Sequence, residues 1–99
     1  MFDKMMAQMK EQTEAIKKEL EQTELSAEAD SGRVKVIITG NKTVKDIVIS
    51  ESIANDPDTI SDLTVIAINR AIKKAEELNE QKMGSMAQGM LPGLGNLLG

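Results

Sequence analysis

The chain has no cysteine, no histidine, no tryptophan and no tyrosine, and a single phenylalanine, Phe2. Each absence removes a class of chemistry. Without cysteine there is neither a disulfide framework nor a thiolate metal site. Without histidine the commonest acid/base group and the commonest transition-metal ligand are missing. Without an aromatic platform, bases of a single strand have nothing to stack on. No apolar run approaches the roughly 20 residues a membrane span requires, and "MFDKMMAQMK" lacks an apolar region of signal-peptide length. A cytoplasmic protein with no membrane partner is the expectation. The carboxylates form no defined pair, and no glycine-rich loop precedes a helix as a phosphate cradle would. An enzyme reading therefore has no residues to rest on, and no cofactor or metal is expected.

What is present is one small domain of 99 residues with a net charge of −4. So short a chain buries a modest share of its surface, which favours oligomerisation. Residues 3–24 read as a long helix. Met9, Ile16 and Leu20, with Phe2 and Met5 or Met6 before them, form a narrow apolar stripe among Lys, Glu and Gln. Such a stripe is nearer a coiled-coil seam than a core face, and it calls for a second helix beside it. The methionines at that spacing are packing residues rather than a soft-metal site.

Residues 26–29 read as a short strand, with Asp30-Ser31-Gly32 as a turn. Residues 33–39 and 43–50 read as two further strands around Gly40-Asn41-Lys42. Val34, Val36 and Ile38 fall on one face of the first of these. In the second, Lys45, Ile47 and Ile49 share a face opposite Val44, Asp46 and Val48. Ile37 beside Ile38, and Val48 between Ile47 and Ile49, put apolar surface on both faces of the sheet.

Asn55 or Asp56 can cap a second helix, with Pro57 in its first turn, running to about residue 82. Its first half is apolar nearly all round. A homodimer is expected on these grounds, with Ile37, Ile38, Ile47, Val48, Ile49, Val65, Ile68 and Ile72 as candidate interface residues. The domain is drawn as residues 1–83. Residues 84–99, rich in Met, Gly and Leu and without charge, are expected to be a flexible tail, and are also the segment through which another protein would be engaged. The fold class is α+β: long helix, antiparallel sheet of two or three strands, long helix, tail.

Charge is unevenly placed. Residues 1–30 carry four positive and eight negative charges, whereas residues 31–50 carry four positive and one negative. Arg33, Lys35, Lys42 and Lys45 make up that basic hairpin. Arg70, Lys73 and Lys74 share one face of the second helix by their spacing of three and four. Lys10, Lys17 and Lys18 offer a third group among glutamates. All ten are candidate phosphate contacts, since affinity for duplex DNA without base readout comes from cations meeting phosphates. The competing reading is a solvated face, with lysines on edge strands blocking unwanted pairing.

The order of elements and the local sequences resemble the YbaB/EbfC family of bacterial nucleoid-associated proteins. The likeness is carried by "MFDKMMAQMKEQTEAIKKELEQTEL", by "ADSGRVKVIITGNKTVKDIVIS" with Gly32, Gly40 and the Val44-x-x-Ile47-x-Ile49 pattern, by "LTVIAINRAIKKAEELNEQKM" with Asn69 and Ala71, and by "MGSMAQGMLPG", together about residues 1–93. The resemblance implies a homodimer joined through its sheets, with helices projecting like tweezer arms. It implies duplex DNA as ligand with little sequence preference, and a place in the nucleoid. The alternative is a dimeric protein–protein scaffold that does not bind DNA.

Overall fold

The computed structural model describes residues 2–90. Helix α1 spans Phe2–Gln22. Strands β1 (Glu24–Ala29), β2 (Val34–Thr39) and β3 (Val44–Ile49) follow, then a single 3-10 turn, Glu51–Ile53, and helix α2, Pro57–Met90. The α+β order is the one the sequence implies. β1 starts two residues earlier than expected. α2 continues through Met83 and Gly84, so residues 84–90 of the expected tail are helical and the 83/84 boundary falls inside α2. Residues 91–99 lie outside the described residues.

The sheet is antiparallel in the order β1-β2-β3. Val34, Val36 and Ile38 of β2 are fully buried, with Ala27 and Ala29 of β1 beside them. They pack on Ala67 and Ala71 of α2, also fully buried, whose single methyl groups let the helix lie close to the sheet. Burying each Val or Ile side chain contributes about 1.5–3 kcal/mol. Ile38 thus belongs to the protomer's own core and is withdrawn from the candidate interface. The alternation placed it on the inner face with Val34 and Val36, and α2 covers that face.

Asp56 caps α2. Its carboxylate accepts the Thr59 N–H at 3.2 Å and the Thr59 hydroxyl at 2.7 Å. Those bonds hold its carboxyl below the usual 3.8.

Two local features set the register. In the β2–β3 turn the Lys42 N–H donates to the Thr39 carbonyl at 3.0 Å, and Lys42 sits at φ 70°. This is a three-residue hairpin loop ending in a left-handed residue. Beyond it, Ile37 pairs with Asp46 but Ile38 pairs with Val44, so Lys45 is the extra residue of a bulge. The bulge corrects the simple alternation. Val44 joins Ile47 and Ile49 on the α2 side, and Lys45 turns to the opposite face, where its ammonium lies 3.7 Å from Glu24 of β1.

α1 touches the rest of the described chain at its C-terminal end. Leu20 is its one buried residue, seated against Gly40, and Lys82 of α2 pairs with Glu19 at 2.5 Å. The remainder of the helix projects, and its apolar stripe is uncovered: Phe2 is 82% exposed, with Met5, Met6 and Met9 also exposed.

Candidate nucleic-acid interface

Folding disperses the basic hairpin. Arg33 sits at the β1–β2 turn and pairs with Asp30 at 2.7 Å. Lys42 lies at the other end of the sheet, 3.7 Å from Glu76 of α2. Between them the face away from α2 holds Lys35 and Lys45, but Glu24, Glu28 and Asp46 share it, as the pairing of Glu28 with Lys35 and of Asp46 with Ile37 requires. The four cations that stand together in sequence are therefore separate in space, and three of them are matched by carboxylates. Among the described residues Lys35 makes no ion pair.

The α2 group stays together. Arg70 and Lys74 turn toward β1, where Arg70 Nη1 donates to the Glu28 carbonyl at 2.9 Å and Lys74 Nζ to the Ser26 carbonyl at 2.6 Å. Lys73 is exposed and, among the described residues, makes no ion pair. These three form one basic row along the β1 flank and back of the helix.

On α1, steps of about 100° per residue put Lys10 and Lys17 on one flank of the apolar stripe and Lys18 on the far side. At the base of α1 a hollow of about 320 Å³ is lined by Lys17, Leu20, Glu21, Asn41, Lys42, Asn79 and Met83. Asn79 ties it together by donating to the Gly40 carbonyl at 2.7 Å. Lys82, not among the sequence candidates, lies on the same side of α2 but is matched by Glu19. Its signal was only its spacing from Asn79. Among the described residues no group of three or more Asp or Glu could hold a metal ion, and no helix is long and apolar enough to cross a membrane.

A second surface is apolar. All of β3 is exposed, including the face turned toward α2: Val44 is 42%, Ile47 38% and Ile49 40% exposed. α2 lies over β1 and β2 and stops short of this edge. Its nearer flank carries half-buried Ile68 and Ile72 and, 58% exposed, Val65. Glu76 and Asn79, which reach the β2–β3 turn, fix that flank as the β3 side. Five of the candidate interface residues, Ile47, Ile49, Val65, Ile68 and Ile72, border this one trough, and Val44 joins them because of the bulge. Ile37 and Val48 lie on the opposite face. A strict two-residue alternation misses Val44, and the adjacent Thr43 and Lys42 gave no hint of the bulge.

The family model described as the YbaB/EbfC DNA-binding family matches residues 1–90. A nucleoid-associated protein of Psychrobacter sp. (strain PRwf-1) is 43% identical over 98 residues, covering 96% of this chain and 89% of that protein. A nucleoid-associated protein of Exiguobacterium sp. (strain ATCC BAA-1283 / AT1b) is 42% identical over 78 residues, 76% of this chain and 74% of that one. The fold matches the crystal structure of an uncharacterized protein from Helicobacter pylori with a TM-score of 0.81, over 87% of this chain and 92% of that one, at 20% identity.

Proposed function

The chain belongs to the YbaB/EbfC DNA-binding family, and on that premise we propose that it is a nucleoid-associated protein that binds duplex DNA as a homodimer. The family match along residues 1–90 carries the ligand. The cations add the mode. Those of α1 and α2 are exposed and line helix flanks rather than a groove-reading motif, Lys35 is half-buried on the outer face of the sheet, and all are interleaved with carboxylates. Contacts of this kind go to phosphate and carry little sequence information.

Within this reading Lys73, Arg70, Lys74, Lys10 and Lys17 are the principal contacts, and Lys35, on the sheet face away from α2, is the contact if the duplex lies on that face instead. Arg33, Lys42 and Lys45 contribute less because a carboxylate already stands beside each. Lys18, on the far side of α1, is peripheral.

The uncovered trough of Val44, Ile47, Ile49, Val65, Ile68 and Ile72 supports the dimer. An antiparallel pairing of β3 with β3 of a second copy, about a two-fold axis normal to the sheet, keeps both α2 helices on one face. It encloses the two troughs between them. Self-complementary burial of this kind is the usual basis of a two-fold interface. Each basic row then occurs twice, which brings six or more cations to one duplex.

Fluorescence anisotropy of a labelled duplex at several salt concentrations tests the ligand. Affinity is expected to fall linearly in log–log form, with a slope of about −5 for six phosphate contacts. No binding at low salt would overturn the reading.

One observation favours a second reading: the stripe of Phe2, Met5, Met6 and Met9 on α1 is exposed, and methionine-rich stripes suit protein partners. A dimeric scaffold that engages another protein through α1, or through residues 84–99, would use it. Binding of a duplex with the expected salt slope decides against that alternative as the sole function.

A further inference from the structure

β1 and β3 are the two edges of the sheet, and the rest of the chain treats them differently. An edge strand leaves every second residue with main-chain groups that point away from the sheet, ready to pair with another strand. On β1 two of those carbonyl oxygens are already taken, Ser26 by Lys74 and Glu28 by Arg70. The fit is one of spacing. Four residues of helix rise about 6 Å, and two residues of strand advance about 6.6 Å, so cations one turn apart on α2 match acceptors two residues apart on an antiparallel β1. Among the described residues no side chain from another element donates to the main chain of β3; the one side-chain bond there is Asp46 to its neighbour's Ile47 N–H.

We propose that Arg70 and Lys74 close the β1 edge against strand addition, so that a second copy of this chain extends the sheet only at β3 and the assembly stops at two. The proposal rests on the homodimer reading above. A protomer with one open edge pairs once and is complete, whereas one with two open edges propagates without limit. A strand approaching β1 must displace both cations, and it then meets the carboxylates of Glu24 and Glu28, which make the stripped edge acidic.

Sedimentation velocity over a micromolar concentration series tests this on the full chain, comparing wild type with the Arg70→Ala/Lys74→Ala pair. Wild type is expected to stop at the dimer mass. The Ala pair is expected to go on to tetramers and larger species, with hydrogen-exchange protection of the Ser26 and Glu28 amides rising with concentration. The exchange pair Arg70→Lys/Lys74→Arg retains two donors and is expected to keep the wild-type mass. An Ala pair that is folded by circular dichroism and keeps the wild-type mass overturns the proposal, as does an exchange pair that assembles like the Ala pair. Should the Ala pair not fold, Lys74→Ala alone replaces it under the same criterion. A monomeric wild type would refute the homodimer instead. The edge is then judged by whether the Ala pair dimerises, which supports closure, or stays monomeric, which overturns it.

Discussion

Leu20 and Gly40 are in direct contact, and that contact is where α1 joins the sheet. The Gly40 N–H donates to the Leu20 carbonyl at 2.9 Å, and a Cβ on Gly40 would lie 2.9 Å from both the Leu20 carbonyl oxygen and Leu20 Cδ2. The side chain can move but the carbonyl cannot, because it holds the bond. Gly40→Ala is therefore expected to destabilise the protein by about 1–3 kcal/mol, by prising α1 from the turn. Urea denaturation measures the loss, and proteolysis within residues 2–22 should accelerate in parallel. An unchanged midpoint would mean that the junction relaxes freely.

Much of this fold was legible in the sequence, for local reasons. Val34, Val36 and Ile38 alternate cleanly, and they are the core. Pro57 after Asp56 marks the start of α2, and Asp56 is the cap. The unread parts depend on partners far along the chain. The bulge at Lys45 follows from how β3 meets β2, and it moves Val44 and Lys45 to faces that alternation denies them. Arg70 and Lys74 reach carbonyls 42 and 48 residues away, so their spacing announced a basic face but not its use. The basic hairpin was compact in sequence only. A turn at each end of β2 separates Arg33 from Lys42 by the length of the strand.

Asp56 makes stability depend on pH in a defined direction. The Thr59 hydroxyl and N–H hold its carboxyl below the usual 3.8, so the folded state favours the carboxylate more than the unfolded state does. That contribution is fully present above the unfolded value and is lost as pH falls through the lower folded value. Asp56→Asn retains an acceptor for the cap without the titration. The melting temperatures of wild type and Asp56→Asn should therefore differ most above the usual carboxylate range and converge as pH falls below 3.8 and through the lower folded value. A constant difference across that range would remove Asp56 as the cause.

The Thr64 hydroxyl is buried without a hydrogen-bond partner among the described residues, on the half-buried side of α2. A polar group held so costs about 1–3 kcal/mol. Thr64→Val keeps the shape and removes the cost, and should raise stability by about 1 kcal/mol in thermal denaturation. A loss instead would mean that the hydroxyl is satisfied in the assembled protein.

Charging the trough tests the dimer without touching the protomer's core. Ile47 and Ile49 are more than one-third exposed in the single chain, so Ile47→Glu/Ile49→Glu costs little within one copy. In a paired β3 it places four carboxylates in an enclosed apolar space. Wild type is expected to have the dimer mass at micromolar concentration by light scattering, and the variant that of a monomer with native circular dichroism. A dimeric variant would move the interface elsewhere, with the uncovered stripe of α1 next in line.

The ion pairs predict which cations matter for DNA. Lys42 and Lys45 each lie 3.7 Å from a carboxylate. A phosphate that takes either one must leave Glu76 or Glu24 unmatched beside a polyanion, so less binding free energy is gained. Lys35 and Lys73 carry no such debt among the described residues. In a dimer, Lys35→Ala/Lys73→Ala removes four cations, but Lys35 lies on the sheet face away from α2 and Lys73 on the back of α2. One duplex therefore meets only the two on the face it binds, and the log–log salt slope should flatten by about 2. Lys42→Ala/Lys45→Ala removes the same number and should flatten it by clearly less. Equal effects would mean that net charge alone governs affinity. A larger effect from the second pair would place the duplex at the hairpin end of the sheet, beside the hollow between α1 and α2.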